Sequence, residues 1–277
     1  APLDCKALAN SADRAPPDYA LQCIDANQRS ALPLAAETVR APGDIAFTVD
    51  IRGQAPRLAN TLYDFTLPDF ATQTSRGVTQ ASIFALDFSA DGNTLYGISG
   101  SGAASNPSTL FTINTLTGAA TVVAPLSGLT AGDSASGLSI DPVSGIAYFS
   151  AAGGAPLLSR LYTLNLATGA LTLIGPLSAP TDPTGTIFID IAMNCAGELY
   201  GHNIGDDALY SINPSTAATS LIGAHGLAAN FAQGMDFDNT DGTLYAFMYL
   251  GSGTNRFGSF NLATGAFTTL TQDNPLG

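Results

Sequence analysis

At 277 residues the chain is within reach of a single all-β domain, and its 45% hydrophobic content supplies a real core. Charged residues make up only 11% of the chain, the formal net charge is −13, and Lys6 is the only lysine. That balance excludes nucleic acid and anionic membrane as partners, since both demand clustered Lys and Arg, and no apolar run approaches the roughly 18 residues that cross a bilayer.

Residues 1–30 carry no clean hydrophobic period. Pro16-Pro17 and scattered charges predict an irregular arm or cap, with a short helix around Tyr19 to Ala26. The chain begins Ala1-Pro2-Leu3, which is expected for a mature form after removal of a secretory signal. Few lysines beside many Ser, Thr, Gly and Asp fit a bacterial extracellular protein. Cys5 and Cys23 flank a short loop in this arm and are expected to pair in an oxidising compartment. Cys195 is then the odd one, expected as a partly buried free thiol, with an intermolecular bridge as the alternative.

Residues 31–80 read as a diverged first copy of a repeat. Leu32-Pro33-Leu34-Ala35 stands where a first strand belongs. Asp44-Ile45-Ala46-Phe47-Thr48-Val49-Asp50-Ile51 alternates as a half-buried strand does. Leu62-Tyr63-Asp64-Phe65-Thr66-Leu67 is the first occurrence of a phrase that returns throughout the chain.

From residue 81 onward the repeat is clear. Each copy opens on a strand, an Asx-type turn and a second strand, as in Phe84-Ala85-Leu86-Asp87-Phe88 followed by Asp91-Gly92 and Leu95-Tyr96. The pattern recurs over 137–148, 191–201 and 235–245. A second hairpin follows, cleanest at Leu161-Tyr162-Thr163-Leu164-Asn165-Leu166-Ala167-Thr168-Gly169. Its Asn starts a turn by bonding the chain two residues on, and its Gly takes the positive φ that closes it. The turn residues Asn114, Asn165, Asn213 and Asn261 lie 51, 48 and 48 residues apart, and Ala217 stands where the third copy would carry Gly. Four strands in a period of about 40–50 residues is the mark of a propeller blade. The chain is therefore expected to be an all-β, five-bladed β-propeller, with six blades as the alternative. The blades are expected over 31–80, 81–134, 135–185, 186–233 and 234–277.

A ring must join its ends. The strand carrying Ile45, Phe47, Val49 and Ile51 is expected to close it in cis. Its donation to a neighbouring molecule is the alternative, because an unpaired strand edge is a template for addition.

Candidate chemistry is sparse. His202 ends a second strand and His225 sits in a Gly-flanked loop. No Gly-x-Ser-x-Gly elbow accompanies them, so turn hydrogen bonding is expected in place of a triad. Asp236, Asp238 and Asp241 with Gly242 superficially resemble a calcium loop, but the third Asp is one residue late and no Glu follows. Turn chemistry is the expectation and calcium the alternative; no other cofactor is implied. Asp206-Asp207 is a second candidate of the same kind. Asp87 and Asp236 share one first-strand position, occupied by Ser139 and Ala192 in the other copies, so two carboxylates face the channel. Tyr96, Tyr148, Tyr200 and Tyr245 recur at one position and are expected to pack between blades, with sugar stacking as the alternative. Sequons are absent, because Pro follows the Asn in Asn106-Pro107-Ser108 and Asn213-Pro214-Ser215. The loop 178–184 is expected to be solvated, with O-linked sugar as the alternative.

Asp207-Ala208-Leu209-Tyr210-Ser211-Ile212 and Phe231-Ala232-Gln233-Gly234-Met235-Asp236-Phe237-Asp238 resemble repeats of secreted bacterial β-propeller domains of unknown function. The resemblance covers about residues 81–270. It implies an extracellular, often modular, non-catalytic domain and brings no catalytic residue set. Function is accordingly expected to be structural or interactive, with self-assembly into an oligomer or extracellular fibre through the N-terminal arm. A monomeric glycan- or peptide-binding module, with or without calcium, is the alternative. A hydrolase using channel carboxylates ranks third.

Overall fold

Four asparagines do the same work in four places. Asn114 Oδ1 accepts the backbone N–H groups of Leu116 and Thr117 at 2.9 and 3.1 Å. Asn165 Oδ1 does so for Ala167 and Thr168, Asn213 Oδ1 for Ser215 and Thr216, and Asn261 Oδ1 for Ala263 and Thr264. Each Asn carbonyl then accepts the N–H of the fourth residue on, which is Gly118, Gly169, Ala217 or Gly265. Two side-chain bonds of about 1 kcal/mol each fix every one of these turns, and hence the register of the hairpin it closes.

The computed structural model describes residues 45–51, 53, 57–179, 186–231 and 234–273. These hold 19 strands and no helix. The first sheet has three described strands, β1 (Ile45–Asp50), β2 (Thr61–Thr66) and β3 (Asp69–Val78). Four four-stranded sheets follow. The second holds β4 (Ile83–Phe88), β5 (Leu95–Ser99), β6 (Thr109–Ile113) and β7 (Ala120–Pro125). The third holds β8 (Ser134–Ile140), β9 (Ala147–Gly153), β10 (Leu158–Leu164) and β11 (Leu171–Pro176). The fourth holds β12 (Phe188–Met193), β13 (Leu199–Asn203), β14 (Ala208–Ile212) and β15 (Thr219–Ala224). The fifth holds β16 (Gly234–Asp238), β17 (Thr243–Tyr249), β18 (Asn255–Phe260) and β19 (Phe267–Asp273). Every pairing within a sheet is antiparallel and follows chain order.

These sheets are the five blades of a propeller. β4, β8, β12 and β16 lie side by side around the axis. The faces between blades make the core, so one blade's tyrosine packs on the next blade. Tyr148 joins the cluster of Phe188, Ile191 and Tyr210, and Tyr200 joins that of Phe237 and Leu244. Tyr96 and Tyr245 pack against the corresponding clusters of their neighbours. The tyrosine repeat is interior packing, as expected.

The ring closes through aromatic rings. Phe257 of the fifth blade lies 5.4 Å from Phe65 and 5.0 Å from Phe70 of the first, between ring centroids. The fifth blade draws all four of its strands from its own stretch of chain. Ile45, Phe47, Val49 and Ile51 belong to β1 or its end, and β1 pairs with β2 of the same blade, Phe47 opposite Asp64. The Leu-Tyr phrase forms the third strand of the later blades and forms β2 here. So β1 holds the second-strand place, and no described strand stands at the axis in the first blade. The arm, its expected helix, Cys5, Cys23 and Leu32–Ala35 lie outside the described residues.

Candidate functional site

The axis is the first place to look, because inner strands present alternate side chains to it. Asp87 on β4 uses one oxygen on its own neighbour, accepting Phe88 N–H at 2.6 Å. The other accepts Ile140 N–H of the third blade, also at 2.6 Å. Ser139 Oγ on β8 accepts Met193 N–H of the fourth blade at 2.9 Å. Asp190 on β12 accepts Ile191 N–H at 2.8 Å and Met235 N–H of the fifth blade at 2.7 Å. Asp236 on β16 accepts Phe237 N–H at 2.7 Å. Three polar side chains thus strap successive inner strands together around the ring.

A cavity of about 470 Å³ is lined by the inner strands β4, β8, β12 and β16 and by β1. Its apolar wall includes Phe47, Phe84, Phe231 and Phe257. Its polar wall is carboxylate-rich, with Asp50, Asp87, Asp190, Asp236 and Asp238 against one guanidinium among the described residues, that of Arg57. Burial pushes the Asp190 carboxyl well above the usual carboxylate range, against the pull of its two amide donors, and the nearby charge of Asp236 adds to the rise.

The second polar site lies between the fourth and fifth blades. His202, at the end of β13, and His225, just after β15, are both buried. Their Nε2 atoms are 2.9 Å apart, and the rings cross at 81°. His225 Nδ1 accepts Leu227 N–H at 3.2 Å. That fixes the tautomers: the His225 proton is on Nε2 and is donated to His202 Nε2, so the His202 proton is on Nδ1. Asp207 Oδ1 stands 3.7 Å from His225 Nε2 and accepts Ala229 N–H at 2.9 Å. Phe260 and Phe267 of the fifth blade wall the pair off from solvent. Burial, and the neighbouring His225, hold His202 well below the usual histidine range. Burial lowers His225 too, while Asp207 and Asp206 pull it the other way.

The family described as a repeat of unknown function, DUF6923, matches residues 52–275. The chain belongs to that family. No curated protein matches it. Among solved structures it is similar to a protein of unknown function from Bacteroides thetaiotaomicron, with a TM-score of 0.51 and 17% identity. That match covers 78% of this chain and 58% of the other, so the chain spans less than two thirds of that protein. A protein of unknown function from Bacteroides caccae matches at a TM-score of 0.43 and 14% identity, covering 81% of this chain and 71% of its own. An auxiliary nutrient binding protein from Bacteroides ovatus matches at 0.46 and 13%, covering 80% of this chain and 56% of its own. At 17% identity the first of these likenesses shows the fold alone.

Within this DUF6923 chain the expected site residues separate. Asp236, Asp238 and Asp241 do not converge: Asp238 Oδ1 accepts Thr240 N–H and Asp241 Oδ1 accepts Thr243 N–H, both at 2.8 Å. Among the described residues no group of three His, Cys, Asp or Glu side chains is placed to hold a metal ion. Asp87 and Asp236 both line the cavity, as their shared position predicts, and Ala192 is buried away from solvent. Asp190 is not visible in the repeat because it stands two residues before the repeat position, on the same face of β12 as Ala192. The meeting of the two histidines was also missed. They are 23 residues apart, on a second and an outer strand, but both strands end on the same face of the blade. Cys195 is fully buried, deeper than the partly buried place expected of it.

Proposed function

We propose that the chain is a non-catalytic interaction module that takes an extended, basic polypeptide segment into the axial cavity beside β1. One observation carries this reading: β1, the last described strand of its sheet, lines one cavity together with Asp50, Asp87, Asp190, Asp236 and Asp238. An open strand edge recruits an extended segment through main-chain hydrogen bonds. Five carboxylates against one guanidinium, on a chain of net charge −13, favour Lys or Arg on that segment. Two of these carboxylates, Asp87 and Asp190, each accept a backbone amide from the next inner strand, which suits a braced wall better than proton transfer.

The segment preceding Ile45 is the nearest source, and its donation to a neighbouring ring would build an oligomer or fibre. The low lysine content supports a site of action outside the cell. The test is the light-scattering mass of the full chain and of a variant lacking residues 1–40, followed by titration of each with a fluorescent extended peptide carrying two arginines. An oligomer reduced to monomer by the deletion supports assembly. A monomer that binds the peptide, about tenfold more weakly as Asp236→Asn, supports recognition of a separate partner. Monomers that bind nothing overturn the proposal.

A further inference from the structure

The histidine pair lies outside the cavity wall and is not used by the reading above. In its neutral form it has no spare basic nitrogen. His202 Nε2 already receives the His225 proton, and His225 Nδ1 already receives Leu227 N–H. An added proton must therefore break one of these two bonds, because two N–H donors cannot face each other at hydrogen-bond distance.

A new partner is in place for the cation. Asp207 Oδ1 is 3.7 Å from His225 Nε2, close enough for an ion pair after a small turn of the ring. That oxygen now holds Ala229 N–H. Two of the acceptors that tie down the connection after β15, His225 Nδ1 for Leu227 and Asp207 Oδ1 for Ala229, are the ones that acid redirects, while the Tyr249 carbonyl keeps Asn230 N–H at 2.8 Å. The described part of the connection runs to Phe231, which is 49% exposed and lines the axial cavity.

We infer that His202, His225 and Asp207 form an acid-operated latch that holds the connection between the fourth and fifth blades against the ring and releases it when the pair takes up a proton. The surrounding groups are consistent with two discrete arrangements. Asp206 and Asp207 come from the turn between β13 and β14, and the Asp206 carboxylate is held by Asn203 and the Tyr210 hydroxyl. Asp190 is the cross-strand neighbour of His202 on β12, and its oxygens hold Ile191 and Met235 amides. Leu209 faces His202 from β14, and β18 and β19 present Phe260 and Phe267. Burial of the neutral rings places the release on the acid side of an ordinary histidine.

The chain has two histidines, so imidazole nitrogen signals report this pair alone. A nitrogen-resolved NMR titration of the full chain, with amide hydrogen exchange at each pH, tests the latch. The expected result is one joint transition of both rings below about pH 6.5. The Leu227 and Ala229 amides should lose at least tenfold protection there, with β13 and β14 amides unchanged. The variant Asp207→Asn keeps an acceptor for Ala229 but no counter-charge, so its transition should move to lower pH by half a unit or more. Rings that titrate separately with no change in amide exchange overturn the latch. So does a pair that stays neutral until the β13 and β14 amides open together with the loop.

Discussion

At the third Asn turn, Ala217 takes the place that Gly118, Gly169 and Gly265 fill in the others, and it keeps their backbone with φ of 60°. What lies opposite explains the exchange. A Cβ on Gly265 would stand 2.2 Å from the Gly223 carbonyl oxygen of the preceding blade, a contact the backbone must move to relieve. Ala217 instead faces Gly175, which leaves room for its methyl. Gly265→Ala therefore combines a left-handed alanine with a backbone clash and should cost about 2 kcal/mol or more in urea unfolding. Ala217→Gly should change stability by less than about 1 kcal/mol, since it relieves the φ but gives up a buried methyl. The two histidines give a second residue-scale expectation. Both are held neutral, with folded values lowered from an unfolded value of about 6.5. Their contribution to stability is complete above that value and is lost as the pH falls through the lowered ones. Urea midpoints should decline from pH 7 to 5, and His202→Gln with His225→Gln should flatten that decline.

Among the elements, the seam between the first and last blades carries the ring. Phe257 stacks on Phe70 at 17° and on Tyr245 at 6°, and meets Phe65 edge-on at 84°. Truncating such a ring costs about 3–5 kcal/mol, a large part of the usual 5–15 kcal/mol of a folded domain. In Phe257→Ala, hydrogen exchange should open β2 and β3 first and leave β8 to β11 protected longest. Uniform loss of protection would show that the seam is no weaker than the other interfaces. Legibility in the sequence follows the same seam. The hairpins of the later blades were readable, because Asn and Gly fix their turns locally and alternation fixes the faces. The first blade was readable only in part: Leu62-Tyr63 announces β2, but its turn to β3 runs through Leu67-Pro68 with no Asn signal. The axial straps were half readable. Asp87 and Asp236 recur in register, whereas Asp190 lines the cavity from two residues earlier in its strand, where the other copies carry Ala85, Gly137 and Gly234. The histidine pair depends on two strands ending on one face, a fact of blade geometry that spacing along the chain does not show.

For the whole molecule, the question is whether the five blades are a ring or a stack that happens to meet. A stack of repeats is stabilised by nearest-neighbour interfaces and loses them one at a time. A ring loses two at once when a blade is removed. Stopping the chain after Phe231 would strip Phe237, Leu244 and Met248 from Tyr200 and Leu209 of the fourth blade. It would also strip Phe257 from Phe65 and Phe70 of the first. Those four newly bared side chains, Tyr200, Leu209, Phe65 and Phe70, are each worth about 1.5–3 kcal/mol of burial. Together that is about the whole stability of an average domain. The truncated chain should therefore lose cooperative thermal unfolding and most of its β-sheet circular dichroism, far more than the fifth of the strands it gave up. Retention of about four fifths of the signal with a sharp transition would mean that the blades stand as an open stack. The Phe65, Phe70 and Phe257 seam would then be a contact the fold can do without.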